Sequence, residues 1–270
     1  MRMKEKGEWI RESYEVIHAF PFVQGVLYYT AYRNRNEAGS EGEPVRTRFV
    51  HALDARAFHG ESGRDFEKLL MRDEDAFFPV QEVFIEDGVL YQVYRKLEGT
   101  LLAHYLYHTL PLPLDRAMWI LRRITGHLLR LYDQDQFTMV HPQNVLLAPG
   151  GAVRFIYGGP AGLLPKGGLH PQPSADGQRR EDPYDAFTVG ALAYTMFTGN
   201  SPTAFSLNPA PIRQFREDVP EELEDWIMRT LSFNPEQRPT IEEMARFFHR
   251  VTAKIEGGSE GLFGWERMLL

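Results

Sequence analysis

The sequence contains no cysteine among its 270 residues. Disulfide bonds, thiolate nucleophiles and sulfur-ligated metals are therefore excluded, and the composition is compatible with a reducing compartment. An excess of basic residues is also missing, because 30 Lys and Arg stand against 37 Asp and Glu, a formal charge of −7. Nucleic acids and anionic membranes bind proteins that present a concentrated basic face. Because the sequence has no such excess of basic residues, neither is an expected partner.

Long apolar runs are absent as well. The most apolar stretch, around Ala186 to Phe197, covers about a dozen residues, whereas a helix needs roughly 20 to span a bilayer. The first residues carry no apolar segment of the kind that a signal peptide requires. We therefore expect a cytoplasmic protein with no transmembrane segment.

The apolar content predicts a folded chain, and the residue pattern predicts that its first third is mainly β structure. Apolar residues make up 43% and aromatic residues 13% of the sequence, enough for one large or two small domains. The pattern predicts one helix packed on a five-stranded antiparallel sheet. The elements expected in this first third are a helix around Arg64–Arg72 and strands at Phe22–Tyr32, Arg46–Leu53, Val80–Ile85 and Val89–Tyr94. The last two strands are expected to pair across the turn Glu86-Asp87-Gly88.

After Gly99 the pattern changes to helices. In Leu114–Tyr132 apolar residues recur at three- and four-residue steps, which is typical of an amphipathic helix. The stretch from Gly158 to Arg180 is rich in Gly and Pro and predicts a loop, and the tail from Gly257 predicts a flexible connection to an apolar end. The other expected elements are helices at Asp185–Thr198, Glu221–Ser232 and Ile241–Ile255 and short strands at Asn144–Leu147 and Val153–Ile156.

Several local motifs follow one another in the order found in protein kinases. The segment Val140-His-Pro-Gln-Asn-Val-Leu-Leu147 resembles the second half of the kinase catalytic loop, and Tyr157-Gly158-Gly159 falls where that family has Asp-Phe-Gly. Asp185–Gly199 resembles the central helix of the kinase C-lobe. Asn234–Thr240 resembles the family's Asp-Pro-x-x-Arg-Pro-Thr, and Tyr91–Gly99 is similar to the strand and hinge that hold adenine.

The chain thus resembles a bacterial Ser/Thr protein kinase over nearly its whole length. The resemblance implies an α+β, bilobal fold. Its N-lobe, residues 1–97, would be an antiparallel β-sheet with one helix. Residues 98–256 would form a mainly α-helical C-lobe, and residues 257–270 a flexible C-terminal tail.

The resemblance also implies that the catalytic groups are replaced. Met139 stands at the position of the catalytic Asp, His141 at the neighbouring Lys, Tyr157 at the metal-binding Asp and His51 at the strand Lys. A thioether cannot accept a proton, a neutral phenol is a poor Mg²⁺ ligand, and imidazole is shorter and less charged than lysine. We expect no intact catalytic residue and no metal site, with Arg48 as a conceivable substitute cation.

A vestigial nucleotide pocket is implied at Gly25, Tyr94, Lys96 and Asn144. The glycine-rich loop keeps only Gly25. Phe20 and Phe22 stand in that loop and Phe49 on the roof of the adenine site, where bulky rings predict a filled pocket. Glu67 is the nearest candidate for the glutamate that pairs with the strand lysine, and Glu74 is an alternative.

Other polar residues are expected to support the fold. Asp185 and Arg238 match positions that brace the kinase C-lobe, and Asn144 is open to a backbone-bonding role or a metal role. His104 and His108 lie one helical turn apart, a spacing that suits two metal ligands, but no third ligand is near in sequence. A solvent-facing pair is therefore the expected arrangement.

Three functions are compatible with the sequence. The first is a pseudokinase that acts as a scaffold or regulatory binding protein for a protein partner, with no cofactor. The alternative is an atypical ATP-dependent protein kinase or nucleotidyl transferase that needs ATP and Mg²⁺ and uses Asp133, Asp135 or Asp176. A third rests on a similarity of His141–Asn144, Tyr157–Gly159 and Leu163–Pro165 to the EssB-type degenerate kinase domain of type VII secretion.

Overall fold

The computed structural model describes residues 1–32, 46–57, 65–94, 97–166, 183–202 and 209–257. The chain forms two compact units. The first contains Met1–Glu98 and Ile156–Gly167, and the second contains Gly99–Phe155 and Gly168–Leu270. The chain therefore leaves the first unit before Gly99 and returns to it for a short segment that begins at Ile156.

The first unit is built on one antiparallel sheet of six strands in the order β1-β2-β3-β4-β6-β5. β-branched and aromatic residues are frequent in these strands, as the pleated sheet favours. The bounds are β1 Trp9–Ile10, β2 Tyr14–Pro21, β3 Val26–Tyr32, β4 Arg46–Asp54, β5 Val80–Glu86 and β6 Val89–Tyr94.

Alternation along these strands divides the residues between two faces of the sheet. One face forms an apolar cluster, and residues at intervening positions, among them His51 in β4, point away from it. The members of the cluster are Ile10, Tyr14, Val16, Val26, Tyr28, Val50, Ala52, Val89, Tyr91 and Val93, with Met1, Ala19 and Phe84 packed against them.

The turn between β5 and β6 follows from its two residues. Asp87 and Gly88 have φ values of 52° and 73°, and a two-residue hairpin loop with both φ angles positive is the geometry that Asp-Gly favours. The predicted pairing of these two strands is confirmed, since Ile85 stands opposite Leu90 and Glu86 opposite Val89.

Three features of the first unit differ from the expectation. The sheet has six strands and not five, because the residues before Phe22 form the two strands β1 and β2. The strand expected from Phe22 begins only at Val26, because the residues between form the turn in which the Phe22 amide donates to the Gly25 carbonyl at 3.2 Å. The helix expected around Arg64–Arg72 is a 3₁₀ helix, Phe66–Met71, in which Leu69 is the only buried side chain. With one buried position, the segment has no apolar stripe whose burial would stabilise a longer α-helix.

The second unit is mainly helical. In α2 the predicted apolar stripe is confirmed, because Met118, Leu121, Ile124, Leu128 and Leu131 are all completely buried. The helices are α1 Leu102–Thr109, α2 Leu114–Asp133, α3 Pro183–Thr198, α4 Glu221–Thr230 and α5 Ile241–Gly257.

Short strands complete the two units. β7 (Thr100–Leu101), β9 (Val145–Ala148) and β10 (Ala152–Phe155) form a three-stranded sheet in the order β10-β9-β7. β8 (Gln136–Thr138) lies in the second unit and β11 (Gly158–Pro160) in the first. Among the helices described, none has both the length and the apolar character needed to cross a membrane.

Candidate functional site

His51 lies in the middle of β4 and is completely buried. Its Nε2 is 2.5 Å from the carbonyl oxygen of Gln24, and its Nδ1 is 3.1 Å from Nε2 of Gln92. A carbonyl oxygen can only accept a hydrogen bond, so Nε2 carries the proton and Nδ1 accepts from the Gln92 amide. Both ring nitrogens of His51 are therefore used within the first unit.

This environment keeps the His51 imidazole neutral. Burial is the largest cause and lowers the pKa of His51 from 6.5 to about 4, while the bond to the Gln24 carbonyl opposes the shift and the nearby charge of Arg72 adds to it. An imidazole with this pKa carries no charge near pH 7. It cannot replace the permanent positive charge that lysine places on a phosphate.

Tyr157 is also completely buried and lies at the start of the segment that returns to the first unit. Its hydroxyl donates to the carbonyl oxygen of Pro165, and burial raises the pKa of Tyr157 above its ordinary value. The phenol is therefore neutral near pH 7.

Two aromatic rings meet the ring of His51. The ring of Tyr157 approaches it edge to face with a centroid distance of 5.5 Å, and the ring of Phe22 does so at 5.2 Å. Such edge-to-face pairs are favoured by the charge distribution of aromatic rings. We call Phe22, His51 and Tyr157 the His51 cluster.

The other two phenylalanines named from the sequence are placed elsewhere. Phe49 packs against Tyr29 with a centroid distance of 5.0 Å. Phe20 is 46% exposed and its ring lies 6.2 Å from that of His18. Of the four rings considered at the sequence level, the structure brings only Phe22 and Tyr157 to His51.

The described residues of the implied nucleotide pocket make contacts within their own unit. Gly25 has φ 76°, and a Cβ at this position would lie 2.1 Å from the Ala52 carbonyl oxygen, so the close approach of two strands requires glycine here. Tyr94 is completely buried and donates to the carbonyl oxygen of Ile156 at 2.8 Å. Lys96 lies outside the described residues.

Sequence reasoning missed Arg72. Its side chain is buried, with 5% of the residue exposed, and the guanidinium donates to the carbonyl oxygens of Ile156, Gly158 and Phe78. Hydrogen bonds from a charged donor contribute about 1.5–3 kcal/mol each, which offsets part of the cost of burying the cation. Burial lowers the pKa of Arg72, yet a guanidinium stays charged in proteins.

The cation in this region thus comes from Arg72 and not from Arg48. Among the described residues, Arg48 donates to the neighbouring Thr47 carbonyl, at 2.9 Å. Glu67 and Glu74, considered as partners of the strand lysine, are both exposed. The sequence signal for Arg72 is weak, because one arginine in a polar stretch looks like any solvated surface residue.

In the second unit, Asn144 holds the loop before β9. It is completely buried, and its Nδ2 donates to the Thr138 hydroxyl at 3.1 Å and to the Met139 carbonyl at 2.8 Å. His141 is exposed, and its Nδ1 accepts from the Gln143 amide at 3.2 Å. The Asn144 amide therefore binds the end of β8 and the first residue of the loop that follows it.

Asp185 and Arg238 make contacts around α3. Asp185 is buried and its Oδ2 accepts from the Tyr132 hydroxyl at 2.5 Å. Arg238 donates to the carbonyl oxygens of Ser232 and Pro183 and stacks over Phe187 at 5.0 Å. Arg238 thereby ties the start of α3 to the loop after α4.

The remaining candidates are exposed. His104 and His108 face solvent on α1 with their ring centroids 4.6 Å apart, and Asp133 and Asp135 are exposed at the end of α2 and just beyond it. Asp176 lies outside the described residues. Within the described part of the chain, no three His, Asp or Glu side chains converge to hold a metal ion.

The groups at the implied metal and lysine positions do not suit Mg²⁺ and a triphosphate. Mg²⁺ prefers carboxylate oxygens, and Tyr157 offers a protonated phenol that is already bonded to Pro165. His51 offers a neutral ring whose two nitrogens are already bonded.

Together, a curled antiparallel sheet unit and a helical unit define a protein kinase-like fold. The crystal structure of the PknI kinase domain from Mycobacterium tuberculosis is similar to this chain, with a TM-score of 0.63 and 19% identity, and covers 92% of this chain and 99% of its own. A mutant form of the same domain gives a TM-score of 0.64 and 19% identity, with 93% and 100% covered. No protein-family model and no curated protein matches the sequence.

Proposed function

We propose that this chain is a catalytically inactive kinase-fold protein that acts by binding a protein partner as a scaffold or regulator. One observation carries the proposal: the ring contact between His51 and Tyr157. By the resemblance of the sequence to kinases, these residues correspond to the strand lysine and the metal-binding aspartate, and both are buried, neutral and bonded to the protein.

The chemistry of phosphoryl transfer explains why this contact matters. The reaction depends on positive charge at the phosphates and on a carboxylate-held metal, because charge builds up on the transferred group. Met139, at the position of the catalytic base, adds a side chain that cannot accept a proton. Because the lysine, the metal-binding aspartate and the base are all replaced, we expect the fold to act by recognising a protein partner.

Nucleotide binding is tested by thermal unfolding with ATP and Mg²⁺, with Mn²⁺ in a parallel series. A ligand at 100 times its Kd stabilises a protein by about 2.7 kcal/mol, which raises the Tm of a chain of this size by several degrees. We expect no metal-dependent shift at millimolar ATP. A shift of that size, with an active kinase domain as positive control, would overturn the proposal.

Catalysis is tested separately with labelled ATP and a generic protein substrate. We expect neither phosphoryl nor adenylyl transfer above background with Mg²⁺ or Mn²⁺. Transfer that is lost in Asp133→Asn or Asp135→Asn, two exposed positions, would establish the alternative of an ATP-dependent transferase with replaced catalytic groups.

A further inference from the structure

Arg72 holds the main chain on both sides of Tyr157. Its Nη1 donates to the carbonyl oxygen of Ile156 and to that of Gly158, each at 3.0 Å. Ile156 and Gly158 are the two neighbours of Tyr157 in sequence. One guanidinium nitrogen therefore fixes the peptide groups that set the direction of the Tyr157 side chain.

Arg72 is itself held in place. Its Nη2 donates to the Phe78 carbonyl at 2.6 Å, and the guanidinium lies over the rings of Phe77 and Tyr94 at 4.7 and 5.7 Å. Its Nε has no hydrogen-bond partner among the described residues. Rigid placement of the cation is thus achieved with carbonyl oxygens and aromatic faces.

The backbone beside Tyr157 is shaped to admit this arginine. Gly159 has φ 151°, and a Cβ there would lie 3.0 Å from Leu69 Cδ2 and 3.2 Å from Arg72 Cδ. These distances are shorter than ordinary van der Waals contacts. A side chain at position 159 would push against Arg72 and the 3₁₀ helix before it.

We propose that Arg72 is a latch: a positioning residue that holds the segment 156–159 in one conformation, with Tyr157 seated against His51, without nucleotide or metal. Tyr94 assists by donating to the same Ile156 carbonyl. The latch concerns how the first unit fixes this segment, so it does not depend on whether the chain transfers phosphate.

The first test is hydrogen exchange of Arg72→Met in the absence of nucleotide. Loss of the guanidinium frees two carbonyls of the segment, and local opening governs exchange in such regions. We expect peptides that cover residues 156–162 to exchange at least about tenfold faster, while peptides of α2 are unchanged. Unchanged protection of residues 156–162 in a folded variant overturns the latch.

Arg48→Met is the matched control, because it removes the same charge from the same unit and, within the described part of the chain, the bond it loses is the one to the Thr47 carbonyl. We expect wild-type exchange of residues 156–162 in this variant. Faster exchange equal to that of Arg72→Met would mean that lost charge alone loosens the segment, which contradicts the latch.

Arg72→Lys separates geometry from charge and decides the question if Arg72→Met does not fold. Lysine keeps the positive charge but lacks the planar fork that reaches several carbonyls at once. We expect faster exchange of residues 156–162 in this variant as well. Full protection of residues 156–162 in Arg72→Lys would overturn the proposal that the planar guanidinium holds this segment.

Titration of the His51 ring by NMR reports on the seating of Tyr157 and on the charge of Arg72 together. The described groups that meet His51 are Gln24, Gln92, Tyr157 and Phe22, all uncharged, and among the described residues the charge that lowers its pKa is that of Arg72, after the larger effect of burial. We expect the pKa of His51 to rise in Arg72→Met, where burial and the nearby charge both weaken, and to rise less in Arg72→Lys, which keeps the charge. The same pKa in the wild type and both variants would contradict the placement of Arg72.

Discussion

The rings of His51 and Tyr157 pack edge to face, with planes at 83° and centroids 5.5 Å apart. Neither residue is unusual for a protein core, and the pair gains the modest attraction that aromatic edges and faces provide. Their proposed significance comes from position, because the resemblance to kinases implies a lysine and an aspartate at these two positions.

The stability of the protein should fall as the pH is lowered below neutrality because of His51. The native pKa of His51 is about 4 and its ordinary value is 6.5, so between these values the unfolded chain binds more protons than the native protein. The stabilisation is complete above pH 6.5 and is lost as the pH falls towards 4, by about 3 kcal/mol at most.

Urea unfolding of wild type and His51→Gln from pH 7 to pH 4 measures this contribution. We expect the substitution to flatten the pH dependence. An identical pH dependence in wild type and His51→Gln would show that His51 does not become protonated on unfolding.

Replacing Gln92 with glutamate should raise the pKa of His51. The Gln92 amide donates to Nδ1 of His51 at 3.1 Å, and a carboxylate in its place accepts from Nδ1 and favours the protonated ring. NMR titration of His51 measures the change. Gln92→Met is the control, because it removes the hydrogen bond without adding charge, and a pKa in Gln92→Glu no higher than in this control would contradict the arrangement.

Asn144→Asp should destabilise the protein by about 2–4 kcal/mol, because a carboxylate cannot donate to the Thr138 hydroxyl or the Met139 carbonyl, which accept from the present amide. The exposed neighbour Gln143 provides the control Gln143→Ala, expected to change stability by no more than about 0.5 kcal/mol.

Urea unfolding with and without Mg²⁺ distinguishes the two roles considered for Asn144. If the loop-bonding role holds, the loss of stability is the same in both series. A variant that is stable and gains stability with Mg²⁺ would instead favour a metal role, since aspartate is the better ligand.

Gly25→Ala should cost more stability than Gly88→Ala. Both glycines have positive φ, 76° and 73°, but a Cβ at Gly25 would meet the Ala52 carbonyl at 2.1 Å, whereas nothing lies within 4 Å at Gly88. Left-handed backbone alone costs alanine about 1–2 kcal/mol. We expect about that loss at Gly88 and at least about 3 kcal/mol at Gly25; equal losses in thermal unfolding would contradict the role of the close strand contact.

Local patterns in the sequence predicted much of the secondary structure. Three- and four-residue spacing predicted α2, and Asp87-Gly88 predicted the hairpin between β5 and β6, because these signals depend on neighbours in the chain. The 3₁₀ helix Phe66–Met71 was expected as an ordinary helical segment. Its geometry depends on how few of its side chains the sheet buries, and this number cannot be read from spacing.

The candidate site was predicted in part. The matched motifs named His51, Tyr157, Met139 and Asn144, but they could not indicate that the partners of His51 are the Gln24 carbonyl and the Gln92 amide. They also gave no reason to choose Arg72 over Arg48. Hydrogen bonds between residues tens of positions apart depend on strand register and on where the chain returns after β10.

By itself, the sequence determined which chemical groups the chain has and lacks. It has no thiol, a tyrosine and not an aspartate at position 157, and a histidine and not a lysine at position 51. Only the tertiary structure decided their state, because burial sets the neutral form of His51, and the path of the main chain brings Ile156 and Gly158 to Arg72. Composition fixes which charges a chain can carry. The fold determines which are desolvated and which are paired, since both depend on neighbours that are distant in sequence.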